Sequence, residues 1–323
     1  SAAMKVVRTA EKGLRSGGGK KPGSTLKKLD EWDRRRALEI VIARACASYN
    51  DLEVAMDYTR TLEGQFLDEI ERSYPPDNSL TEQLKMCIKS LSPVTESFKV
   101  ASNRAIESLV NHLLPKVRAI VNDAVGQDTA GTSFMGSSVM GGTGAATHGS
   151  ARMNYNLDDD AYEMAQVSEG YMGRLCSALD ELLDSLRLHL MPTLSDTLVI
   201  GALSTAAKRL ELSLRRCHFT ALGALSLDSD LRQFLSYAKD RLDSPEITSS
   251  TSLYKNCPPL ARLSQIALLM NVDDLEDVLD LISSSKRKGH WDLKMEEAKA
   301  FLNLRVDFEG KKVNELLKIE DES

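Results

Sequence analysis

The chain has 323 residues, 42% of them hydrophobic and 27% charged, with a formal net charge of -6. That is enough apolar material for a real core, and the acidic balance excludes binding of nucleic acid through a broad basic face. Aromatics make up only 5% of the chain while Leu and Ala are frequent, a balance that favours helices packed on helices over a sandwich or barrel.

Between Lys5 and Lys28, eight Lys/Arg face one acidic residue, and Gly17 to Gly19 interrupt any apolar period. Residues 1–30 are therefore expected to be a disordered basic tail, either simply solvated or in contact with anionic lipid or an acidic partner. The start, Ser-Ala-Ala-Met, lacks the apolar stretch of a signal peptide and reads as a scar ahead of a fragment of a longer protein. From Glu31 the helical signal is almost continuous. Ala37, Ile40, Val41 and Ala45 form one stripe, and Leu52, Ala55, Met56, Thr59 and Leu62 a second. Asn50-Asp51 either ends one helix and caps the next or sits inside a longer one. Tyr74-Pro75-Pro76 is a firm break, and a helix follows over about 78–91. Ser92-Pro93 restarts the chain. The next helix carries Phe98, Ala101, Ala105, Leu109, Leu113, Val117 and Ile120, with Pro115 either kinking or dividing it.

Gly126 to about Asn156 is a low-complexity run of Gly, Ser, Thr and Ala. It is expected to be a disordered loop between two helices of one bundle, with a domain linker as the alternative. Asp158 to Asp160 then place negative charge at a helix start. That helix is expected over about 159–190, with Val167, Leu175, Leu179, Leu183 and Leu186 inside. Pro192 breaks it, and another runs over about 193–222. Asp228 is the expected cap of a further helix burying Leu231, Phe234 and Ala238. Asp243-Ser-Pro and Ser249 to Ser252 form a second loop, read as a domain boundary. Beyond it come short helices. Leu260, Leu263, Ala267 and Met270 share a face, as do Leu275, Val278, Leu279 and Ile282; Ala298, Phe301, Leu302 and Arg305 follow the same spacing, and Val313, Leu316 and Leu317 end the series. The expected architecture is all-α: a basic tail over 1–30, a helical-bundle domain over 31–245 containing the loop 126–156, and a small helical domain over 255–323.

No group with recognisable chemistry stands out. The cysteines, Cys46, Cys87, Cys176, Cys217 and Cys257, lack C-x-x-C spacing and read as free thiols of a cytosolic protein. The five histidines lie apart, so no metal site is expected. The Gly-rich stretch lacks Gly-Lys-Ser/Thr and a preceding strand, which leaves no phosphate loop and no implied cofactor. Asp273, Asp277 and Asp280 fall on the polar face of one helix, either a solvated face or an acidic contact for a partner; they lack the spacing of a calcium loop. Arg262 is the exception, a charge beside an apolar stripe. A partly buried guanidinium needs carboxylates, and Glu297 and Asp307 are the candidates. The network either clamps the terminal domain or meets a partner.

Several of these residues also carry a resemblance. Ala261-Arg-Leu-Ser-Gln265, Leu279-Asp280, Trp291-x-Leu293 and Leu302-x-Leu-Arg-Val-Asp-Phe308 resemble the C-terminal end of subunit four of the conserved oligomeric Golgi complex. Leu227-Asp-x-Asp-Leu-Arg232, Tyr237 and Leu190-x-Pro-x-Leu-x-Asp-x-Leu198 extend the likeness upstream. It is sharp over about 190–308 and collinear back to about 37. The resemblance implies an elongated helical-bundle rod of the multisubunit tethering type, ending in a small helical domain. It implies a noncatalytic role in retrograde intra-Golgi vesicle tethering, through sister subunits and SNARE proteins, as a peripheral protein on the cytoplasmic face of Golgi membrane. It also implies that Arg262 joins a salt-bridge network with Glu297. Lys294-Met295, where the family can have Thr-Pro, gives that acidic helix a weaker start. A helical adaptor of another cytosolic complex and an enzyme whose site is assembled from distant residues are the competing classes.

Overall fold

A computed structural model describes residues 24–75, 79–126, 153–168, 170–242, 249–287 and 291–316. The expected basic tail lies outside these residues up to 23, and so does the larger part of the expected loop, 127–152. The described chain is all-α. Twelve helices follow one another: α1 (Ser24–Ser73), α2 (Ser79–Lys89), α3 (Ser92–Ala124), α4 (Asp159–Val167), α5 (Tyr171–Arg187), α6 (Pro192–Leu214), α7 (Ala221–Asp240), α8 (Ser250–Asn256), α9 (Pro258–Met270), α10 (Leu275–Arg287), α11 (Met295–Leu302) and α12 (Gly310–Leu316).

The chain forms two compact units, one from Ser1–Leu109 with Leu182–Ser195, the other from Val110–Glu181 with Asp196–Ser323. The boundary expected near 245–255 thus falls inside the second unit. The reason is packing: α9 lies against α7, which precedes that boundary, as well as against α8 and α11.

In the first unit α1 is a single helix that runs through Asn50-Asp51 and already begins at Ser24. The Asn50 amide explains the polar residue in mid-helix. Its Nδ2 donates to the His189 carbonyl at 2.8 Å, and its Oδ1 accepts from the Met191 amide at 2.9 Å. Asn50 therefore satisfies the backbone of the turn between α5 and α6, which has no helical partner there. One turn on, the Glu53 carboxylate accepts from Ser102 of α3 at 3.0 Å and from Thr193 at 3.4 Å.

The second unit holds the larger core, built mainly of Leu and Ala with Tyr155, Phe219, Phe234 and Phe301 as its biggest fully buried side chains. Pro115 sits inside a continuous α3. Gly201 of α6 lets that helix approach α3 closely, since a Cβ there would meet Val110 Cγ1 at 2.6 Å. The apolar run expected as one helix over 159–190 is two helices, broken at 168–170, and Val167 is 89% exposed rather than inside. Likewise the helix expected to 222 ends at Leu214. Here the backbone of Phe219 has other partners: its N–H donates to Leu304 O and its carbonyl accepts from Val306 N, both at 2.9 Å. Residues so engaged cannot continue a helix. Thr220 caps α7, accepting from the Gly223 amide at 3.1 Å. The expected cap, Asp228, lies within α7 and pairs with Arg232.

Candidate functional site

α9 is buried on almost every side, through Leu260, Leu263, Ile266, Ala267, Leu269 and Met270 among others. Arg262 is its single charged residue. A helix apolar all round belongs in a core, so this guanidinium is brought to the one edge of the helix where acids wait. Its Nε and Nη2 donate to the two oxygens of Glu211 on α6, at 3.1 and 2.8 Å. Its Nη1 and Nη2 donate to the two oxygens of Glu297 on α11, at 3.2 and 2.8 Å. Nη1 also reaches the Asp292 carbonyl at 3.4 Å.

A second cation closes the ring. Arg215 donates to Glu211 at 2.8 Å and to Glu297 at 3.3 Å, and its guanidinium lies 4.7 Å from the centre of the Phe301 ring. Two arginines and two glutamates thus alternate in a neutral cluster joining α6, α9 and α11. Forked guanidinium–carboxylate pairs of this kind are directional as well as strong. The side chains of Arg262 and Glu211 are 23% and 12% exposed, so these charges are only partly screened by water.

The protonation states follow from this geometry. Burial alone would raise the Glu211 carboxyl, but hydrogen bonds from Arg262 and Arg215 bring it below its ordinary value. Glu297 is pulled down to about 2, chiefly by the Arg262 hydrogen bond. Arg262 is held even more firmly charged by its bonds to Glu211 and Glu297. Glu297 also accepts from the Lys294 amide at 3.1 Å, capping α11, so it makes up for Lys294, whose side chain is not an N-cap acceptor. Nearby, the Gln265 Oε1, buried on α9, accepts from the amides of Asp292 and Leu293 at 2.9 and 3.1 Å and fixes the approach to α11.

Asp307, the other carboxylate expected for Arg262, stands elsewhere. It accepts both forks of Arg305, with Nε–Oδ1 at 2.7 Å. Arg305, expected on the apolar stripe, is a buried cation, 5% exposed. It also donates to the carbonyls of Met270 and Val272 at the end of α9 and stacks 4.4 Å from the Phe308 ring. This is a capped helix C-terminus, where orphan carbonyls favour a cation. Asp273, Asp277 and Asp280 are exposed on α10 and its approach.

A third arrangement has no counterpart in the sequence expectations. Residues 153–156, expected to end the disordered loop, are part of an extended strap. Tyr155 and Leu157 are buried, at 1% and 7% exposure. Tyr155 stacks on Phe219 at 5.1 Å. Its hydroxyl donates to Asp230 at 2.9 Å and lies 2.6 Å from the Tyr171 hydroxyl. Burial raises the Asp230 carboxyl to about 6 and both tyrosine hydroxyls well above their usual value. Phe219 bridges Tyr155 on one side and Arg305 on the other in parallel fashion. Three segments far apart in sequence are thereby tied together.

No group of His, Cys, Asp and Glu among the described residues could hold a metal ion, and no described helix is long and apolar enough to cross a membrane. The arrangement holds backbone and charge in place.

Residues 46–300 match the family described as conserved oligomeric Golgi complex subunit 4, C-terminal. Among curated proteins, the chain is similar to conserved oligomeric Golgi complex subunit 4 of Arabidopsis thaliana, 23% identical over 264 residues, which covers 82% of this chain and 31% of the relative. The Drosophila melanogaster protein of the same name is 24% identical over 263 residues, 80% of this chain and 29% of the relative. The Homo sapiens protein is 24% identical over 164 residues, 51% of this chain and 20% of the relative. The chain therefore spans less than a third of the length of the curated relatives it matches.

Proposed function

The chain belongs to the family of the C-terminal region of conserved oligomeric Golgi complex subunit 4, and on that footing we propose that it is a noncatalytic part of a Golgi vesicle-tethering complex. It binds sister subunits and SNARE machinery in retrograde transport within the Golgi, as a peripheral protein on the cytoplasmic face of the membrane. The observation that carries this reading is the family match over residues 46–300. The all-α architecture supports it, because stiff helical packing presents fixed surfaces to partners without a catalytic cleft. In this reading the Arg262–Glu211–Glu297–Arg215 cluster is a structural clamp: it fixes the register of α6, α9 and α11 so that the terminal helices keep one arrangement.

Affinity capture of the full-length protein from its own cells, with mass spectrometry and fluorescence localisation, tests the proposal. Recovery of the other subunits of the tethering complex and a Golgi pattern are expected. Recovery of an unrelated cytosolic complex, with a diffuse pattern, would replace it by the adaptor reading.

A further inference from the structure

No further inference is drawn: the strongest candidate, the apolar stripe of Ile40, Val54 and Tyr58 left exposed along α1 in the first unit, carries nothing, because nothing in the structure shows what covers it.

Discussion

Arg262→Met keeps most of the aliphatic stem on α9 and removes the guanidinium. The variant loses four hydrogen bonds to Glu211 and Glu297, the shortest at 2.8 Å. Removing one partner of a buried charge pair costs about 3–5 kcal/mol, mostly from the acids left behind. Two features place this site at the lower end. Arg215 still neutralises part of the charge on both glutamates, at 2.8 and 3.3 Å, and the side chains of Arg262 and Glu297 are 23% and 27% exposed. A loss of about 3 kcal/mol follows. For a unit of roughly 150–250 residues, 1 kcal/mol moves the midpoint by about 2–4 °C, so the second unit should melt about 6–12 °C lower. Calorimetry of the native and variant chains checks the shift. A cycle with Glu297→Gln checks the cause, because the two changes share a partner and their sum should exceed the double variant's loss by about 1–3 kcal/mol. A midpoint within about 1 °C of native, or strictly additive changes, would refute the clamp and leave Arg262 a solvated contact.

Gly223→Ala should be more disruptive than a glycine replacement within a helix usually is, since the new methyl meets the Tyr155 carbonyl at 1.6 Å; a loss of about 1–3 kcal/mol and faster proteolysis near Tyr155 are expected, and unchanged urea midpoints would contradict so close an approach of the Tyr155 backbone to α7. Arg305→Met removes the bonds to Asp307, Met270 and Val272 and should cost about 3 kcal/mol, read by thermal melting, with α12 becoming protease-sensitive. Acidification should weaken the clamp: Glu297, lowered to about 2 from an ordinary 4.5, contributes stability that is present above about pH 4.5 and lost as pH falls through about 2. Asp230 works in the opposite sense. Its carboxyl is raised to about 6 from 3.8, so its contribution is complete below 3.8 and lost as pH rises through about 6. Urea midpoints of the native chain should therefore fall between about pH 4 and 6.5 relative to those of Asp230→Asn, and parallel trends in the two proteins would dismiss that role.

The all-α class and the positions of α9, α10 and α11 were legible because their apolar residues repeat at helical spacing and short polar stretches separate them. Helix ends were less legible wherever the stop signal is a tertiary hydrogen bond. Nothing local ends a helix near Leu214; the helix ends because Phe219 exchanges backbone bonds with Leu304 and Val306. The break at 168–170 is equally silent, since Val167 continues an apolar period that the fold leaves exposed. The division into units also escaped the sequence. A polar loop over 243–252 resembles a boundary, but α7 and α9 on either side of it pack directly, and apolar faces outweigh a change in loop composition.

The charge site shows the same split between local and distant information. Arg262 is conspicuous because it is a lone charge on an apolar helix, and the family resemblance pointed to Glu297. Glu211 and Arg215 had a weaker signal: they form an i, i+4 pair at the C-terminal end of α6, Arg215 lying just past its last residue, which on sequence alone is an ordinary surface pair. Only the approach of α9 turns that pair into the other half of a cluster. Arg305 misled for a physical reason. It occupies an apolar register because its stem lies in the core, while its guanidinium serves the end of α9 and the ring of Phe308; long cations routinely hide their charge this way. Tyr155 had the least local support of all, because it follows a stretch with no apolar period. What places it is a set of partners drawn from residues 171, 219, 220, 223 and 230. A buried tyrosine whose hydroxyl, ring and carbonyl are met by Asp230 and Tyr171, Phe219 and Thr220 is specified by those partners, and no pattern within residues 153–158 could have announced it.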